Sequence, residues 1–318
     1  MLAEAILAIF VATGGQLAPS SSQQDVLAQA QQMQAAGNFA QACDLYEQVL
    51  QANPKTADAK EGMSLSSERL ALNDRAAGHM KDALAALLRA EKIEPADNRV
   101  LFDLAILEDE MHLYQNADRV LDQLAPLEPN DPNFLYARAR VKLDLGQLAV
   151  AQESMEAYLK LRPLDASAHF GLGRIYLQSL QFDKAREEFQ KSITIQPQQS
   201  EAYYQLGQTD LDQDDYAAAI PLFQRTLLRD PQHGGALTGL GIAAFNMKHY
   251  ADADQWLTKA IQVAPDYQPA HYYLGLTMAR LNKPEDSRRE LQTAATLADK
   301  DNKQAATHLQ LLPPGGQP

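Results

Sequence analysis

Seven histidines, a single cysteine and several runs of acids are the side chains that could do chemistry in this chain. The histidines are His79, His112, His169, His233, His249, His271 and His308, and no two of them stand four residues apart. A helix-borne metal site needs two ligands on one face, as in an HExxH pattern, and that pattern is missing. Packed or solvated histidines are expected, and no metal site. Cys43 can form no intrachain disulfide, no thiolate zinc site and no CxxC redox pair. Its position beside Ala42 predicts a packed thiol rather than a nucleophile.

The acids Glu187 and Glu188, and the run Glu108, Asp109 and Glu110, would do acid–base work only if burial shifted their proton affinity. Both groups lie on predicted helix faces, the first among Lys184, Arg186 and Lys191, and a solvated face is expected for each. No glycine-rich phosphate loop follows a strand, and Gly234 with Gly235 reads as a linker. Neither a catalytic residue nor a cofactor is expected.

The elements carrying these residues follow a strict period. Pro95, Pro129, Pro163, Pro197, Pro231 and Pro265 are each 34 residues apart. Each ends an apolar helical pattern, because proline lacks the N–H that would continue a helix. Counting back from the prolines aligns eight units, starting near residues 23, 64, 98, 132, 166, 200, 234 and 268. The eighth position of each is small: Ala30, Ala71, Ala105, Ala139, Gly173, Gly207, Gly241 and Gly275. The twentieth is Ala42, Ala83, Ala117, Ala151, Ala185, Ala219, Ala253 and Ser287, and position 24 is large throughout, from Tyr46 to Leu291. Large fillers facing small holes describe a helix, a tight turn and a second helix packed closely.

These columns resemble the tetratricopeptide repeat family. The resemblance implies an all-α, right-handed superhelical solenoid of helix-turn-helix repeats over residues 23–301. Its units would be 23–56, 57–97, 98–131, 132–165, 166–199, 200–233, 234–267 and 268–301. The interval from Pro54 to Pro95 is 41 residues, seven too many. Seven residues add about two helical turns and keep the same face exposed, so Ala57 to Ala77 is expected as one elongated helix. Residues 302–312 are expected to cap the array and 313–318 to be a disordered tail.

Composition narrows the partners. The formal charge is −13, which repels phosphate backbones and anionic lipids. No nucleic acid is expected. Residues 1–22 carry an apolar stretch, Leu2 to Val11, followed by small and polar residues, as in a secretory signal. The pattern favours an exported, periplasmic protein; no Lys or Arg precedes Lys55, which keeps a cytoplasmic one as the alternative. The stretch is too short to span a membrane, and no integral span is expected.

By resemblance, repeat positions 2, 5, 9, 12 and 13 face the concave surface and would hold a protein or peptide ligand. Here they supply Arg99 and Asn133, the aromatic residues Phe102, Tyr136, Phe170 and Tyr204, and then Arg140, Arg174 and Gln208. Tyr272 extends the aromatic row beyond a break at Thr238. Such a groove would combine ring stacking with bidentate hydrogen bonds to a carboxylate. The alternative is local: the rings pack on neighbouring units, and Arg140 and Arg174 pair with Asp144, Glu188 or other nearby acids. The resulting expectation is a non-catalytic interaction scaffold. A self-associating, homo-oligomeric component of the cell envelope is the other reading.

Overall fold

The structure, a computed structural model, describes residues 21–310. Most of the expected targeting segment and the whole expected tail 313–318 lie outside the described residues. Among the described residues there are sixteen helices and no strand, an all-α helical repeat solenoid. The chain divides into two compact units, residues 1–145 and 146–318.

The first unit holds α1 (Ser21–Ala35), α2 (Phe39–Ala52), α3 (Ala57–Ala76), α4 (Met80–Ile93), α5 (Asn98–Glu110), α6 (Tyr114–Leu124) and α7 (Pro132–Asp144). The second holds α8 (Leu148–Leu161), α9 (Ala166–Gln178), α10 (Phe182–Ile195), α11 (Ser200–Asp212) and α12 (Tyr216–Leu227). It continues with α13 (Gly234–Asn246), α14 (Tyr250–Val263), α15 (Gln268–Arg280) and α16 (Pro284–Gln310). Odd-numbered helices are the first helices of repeats. Even-numbered ones are the second.

Each repeat turns at the same place. Position 15 has a left-handed backbone in all eight: Gly37, Gly78, His112, Gly146, Leu180, Asp214, Lys248 and Asn282, with φ between 57° and 80°. At seven of these turns the next residue donates its N–H to a carbonyl five residues back, as Gln181 does to Tyr176 and His249 to Ala244. That bond satisfies one of the orphan carbonyls at a helix end. Glycine bears the conformation without strain at three turns, and five other residues bear it at a cost.

Small positions fit large ones as the sequence implies. All seven position-20 alanines are fully buried. A Cβ added to Gly173 would come within 2.6 Å of Phe189, and one on Gly241 within 2.4 Å of Leu257, so position 24 rests directly on position 8. Between repeats, position 24 also meets position 6 of the next first helix, sixteen residues on. Tyr46 lies against Gly62, Met155 against Gly171 and Phe223 against Gly239. Burying a side chain of this size stabilises by roughly 1.5–3 kcal/mol.

Three details differ from expectation or refine it. Gly234 and Gly235 are the first turn of α13, not a linker: Cβ atoms there would meet Ala264 at 3.0 Å and the Tyr204 hydroxyl at 2.7 Å. Helix α3 is 20 residues long and carries two registers seven residues apart, Gly62 facing Tyr46 of the repeat before and Ala71 serving its own repeat. Helix α16 runs unbroken to Gln310, so residues 302–310 prolong it instead of forming a separate capping helix.

Candidate interaction surface

The expected groove residues fall into the two units and are described within each. In the first, Arg99 and Asn133 sit in the opening turns of α5 and α7, each started by an aspartate. Asp97 accepts from the Arg99 N–H, and Asp131 from the N–H groups of Asn133 and Phe134. Arg99 lies between Asp97 at 3.4 Å and Glu68 at 3.6 Å. The Asp97 carboxyl is held below its usual range by hydrogen bonds from Ser64 and Arg99, which outweigh its burial. Arg99 and Phe102 line a cavity of about 200 Å3 with Leu124, Glu128 and Phe134. Tyr136 is half-buried, and Asn133 is exposed.

Arg140 pairs with Asp109 at 2.7 Å, not with Asp144. The carboxylate is 4% exposed and the guanidinium 45%, so the acid anchors the base while its outer edge meets solvent. Both partners of this kind stand 31 residues earlier, Glu68 for Arg99 and Asp109 for Arg140. Sequence reading missed Asp109 because it assigned the run Glu108–Glu110 to a solvated face.

That assignment is corrected. Glu108, Asp109 and Glu188 are buried, and burial pushes Glu108 up to about 7 against its ordinary 4.5. The register explains why. Position 21 of one repeat meets position 11 of the next, 24 residues on: Cys43 faces Ser67 at 3.5 Å, Asp118 faces Lys142 at 2.6 Å and Arg186 faces Asp210 at 2.6 Å. For Glu108 the corresponding residue is Leu84, which offers no charge.

In the second unit the aromatic residues are part of the packing. Phe170 tilts against Phe189 at 5.7 Å, and Tyr204 against Phe223 at 6.1 Å and the His233 ring at 4.5 Å. Burial pushes the Tyr204 phenol up, and its ring fills the space left by Gly235. Arg174 is partly exposed; Glu201 is lowered chiefly by its hydrogen bond with His233, to which the Arg174 charge adds, whereas Glu188 is taken by His169 and Lys191. Gln208 donates to Asp212 at 3.0 Å. Tyr272 is exposed.

Three of the histidines have structural roles. His169 sits between Glu188 at 2.6 Å and the Pro163 carbonyl at 3.0 Å, and His271 between Glu290 and the Pro265 carbonyl at 2.8 Å each. A carbonyl can only accept, so Nε2 donates in both. His233 caps α13, its Nδ1 accepting from the Ala236 N–H at 3.0 Å. Among the described residues no group of three His, Cys, Asp or Glu is placed to hold a metal, and no helix is long and apolar enough to cross a membrane.

Sequence profiles of the tetratricopeptide repeat match residues 27–56, 136–200 and 204–269, together half of the chain. No curated protein matches the chain in sequence. Among solved structures, Cut9–Hcn1 of an APC/C hetero-tetramer is similar over 86% of this chain and 53% of its own, with a TM-score of 0.59 and 16% identity. Pseudomonas aeruginosa PilF aligns over 66% of this chain and 96% of its own, with a TM-score of 0.57 and 15% identity. MamA from Desulfovibrio magneticus RS-1 aligns over 54% and 97%, with a TM-score of 0.50 and 24% identity. Likeness at these identities concerns the fold.

Proposed function

The chain belongs to the tetratricopeptide repeat family, and on that premise we propose that it is a non-catalytic scaffold binding a peptide or protein segment along the first helices of its repeats. The fold typically serves protein interaction, and the coarse role follows from it. The residues of contact are our reading. The observation that carries it is the Arg140–Asp109 pair, in which a buried carboxylate fixes a guanidinium whose other edge stays in solvent. Such a group is already oriented, so it loses little freedom when it takes a carboxylate or carbonyl of a ligand. Arg99, half exposed beside Glu68 and Asp97, repeats the arrangement one repeat earlier. Phe102, Asn133 and Tyr136 complete the contact on this unit, and Phe170, Arg174, Tyr204 and Gln208 are the equivalents on the other.

The two sets are not equal in this reading. Phe170 and Tyr204 are engaged in packing, so Arg174 and Gln208 carry more of the contact on the second unit. A displayed peptide library selected on the whole chain tests the proposal. Selected peptides should bind the Arg99→Ala/Arg140→Ala variant at least tenfold more weakly, with far-ultraviolet circular dichroism unchanged. Full affinity for that variant would place the contact elsewhere.

A further inference from the structure

We infer that the face formed by the end of α15 and the first turns of α16 is a docking seat for one amphipathic helix of a partner protein, bearing a small residue and an acid five residues later. The stacking rules of the array carry the inference. Tyr46, Met155 and Phe223 at position 24 each receive a glycine of the next first helix, sixteen residues on, and Cys43, Asp118 and Arg186 at position 21 each receive a polar or charged residue, 24 residues on.

In the last repeat these positions are Leu291 and Arg288. Sixteen residues beyond Leu291 is Thr307, which lies in α16 itself. An unbroken helix advances about 24 Å over sixteen residues and cannot turn back onto its own face. The seat is therefore not filled as the others are. The seven earlier position-24 side chains are no more than 2% exposed, whereas Leu291 is partly exposed. It opens into a cavity of about 720 Å3 lined also by Ala279, Asn282, Pro284, Ser287 and Gln292.

The chemistry of the occupant follows from the same register. Arg186, the position-21 cation of an earlier repeat, takes Asp210 at position 11 of the next first helix. Arg288 is 78% exposed and pairs with Glu285 at 3.5 Å, one turn away on its own helix. An exposed pair of that kind is worth little and is readily exchanged for an incoming acid. The occupant thus carries a small residue over Leu291, an acid five places on against Arg288, and aliphatic side chains three before and one and four after the small residue. First helix α9 shows that apolar pattern in Ala168, Gly171, Leu172 and Ile175.

A second copy's α1 does not fit this description. It has Asp25, Gln29 and Gln32 where α9 has Ala168, Leu172 and Ile175, and all three are exposed. Stacking it on Leu291 would bury an uncompensated carboxylate. A heterologous helix is the occupant that matches.

The test is a fluorescein-labelled peptide with the sequence of residues 165–179 and the change Tyr176→Glu, titrated with the full chain and read by fluorescence anisotropy. Saturable binding is expected, weakened at least tenfold by Arg288→Glu and recovered when the peptide carries Tyr176→Lys instead. Arg288 is exposed, so its replacement leaves the fold intact, which circular dichroism verifies. Binding should be unaffected by Arg99→Ala/Arg140→Ala, which separates this seat from the contact proposed above. No saturable binding, binding indifferent to Arg288→Glu, or a concentration-dependent dimer of the chain that Leu291→Asp dissolves would overturn the inference.

Discussion

At the scale of single residues, the buried acids are the most informative feature. Glu108 is 1% exposed, one of its oxygens has no hydrogen-bond partner, and its proton affinity is raised to about 7. A carboxyl whose folded value lies above its unfolded one contributes most below about 4.5 and loses that contribution as pH climbs through about 7. Glu108→Gln should therefore match the parent near pH 4.5 and exceed it above pH 7, by roughly 3 kcal/mol at most. Urea unfolding at about pH 5 and about pH 8 measures this; equal gains at both would mean that ionisation plays no part. Leu180 offers a second test, with φ of 57° and 73% exposure. Leu180→Gly should raise stability by about 1 kcal/mol, since the left-handed backbone costs other residues about that much. A fall in the melting midpoint would contradict the turn geometry.

At the scale of elements, the repeat register was legible because it is written in residue size. The alanines at position 20 and the bulky residues at position 24 mark the two sides of one contact, and both sides are visible in the chain. Ala219→Leu should destabilise by about 1–3 kcal/mol through overpacking, seen as a lower thermal midpoint. The turns were half legible. Gly37, Gly78 and Gly146 announce a left-handed residue, whereas His112, Leu180 and Lys248 take that conformation with no such mark in their residue type. The buried acids were not legible at all, since a charge run looks alike whether solvent or a partner 31 residues away satisfies it. Helix α3 makes a further prediction. Deleting residues 64–70 removes two turns and returns the regular spacing, so the fold should survive. Deleting five residues instead turns the remaining face by about 140° and should unfold the flanking repeats, which circular dichroism would show. Equal tolerance of both deletions would refute the two-register reading.

For the molecule as a whole, neighbour contacts dominate, and long-range charge is the one term that every repeat shares. At −13 the chain repels itself. Raising salt from about 10 mM to about 150 mM shortens the screening length to about 8 Å and should raise the thermal midpoint. A midpoint that falls would show that the inter-repeat ion pairs outweigh the repulsion. The role as a scaffold stands or falls on where a ligand lies along the repeats. Hydrogen exchange of the chain, with and without a selected peptide, measures that directly. Slowed exchange in the first helices α5, α7, α9 or α11 is the predicted result, and protection confined to the second helices α6, α10 or α12 would contradict it.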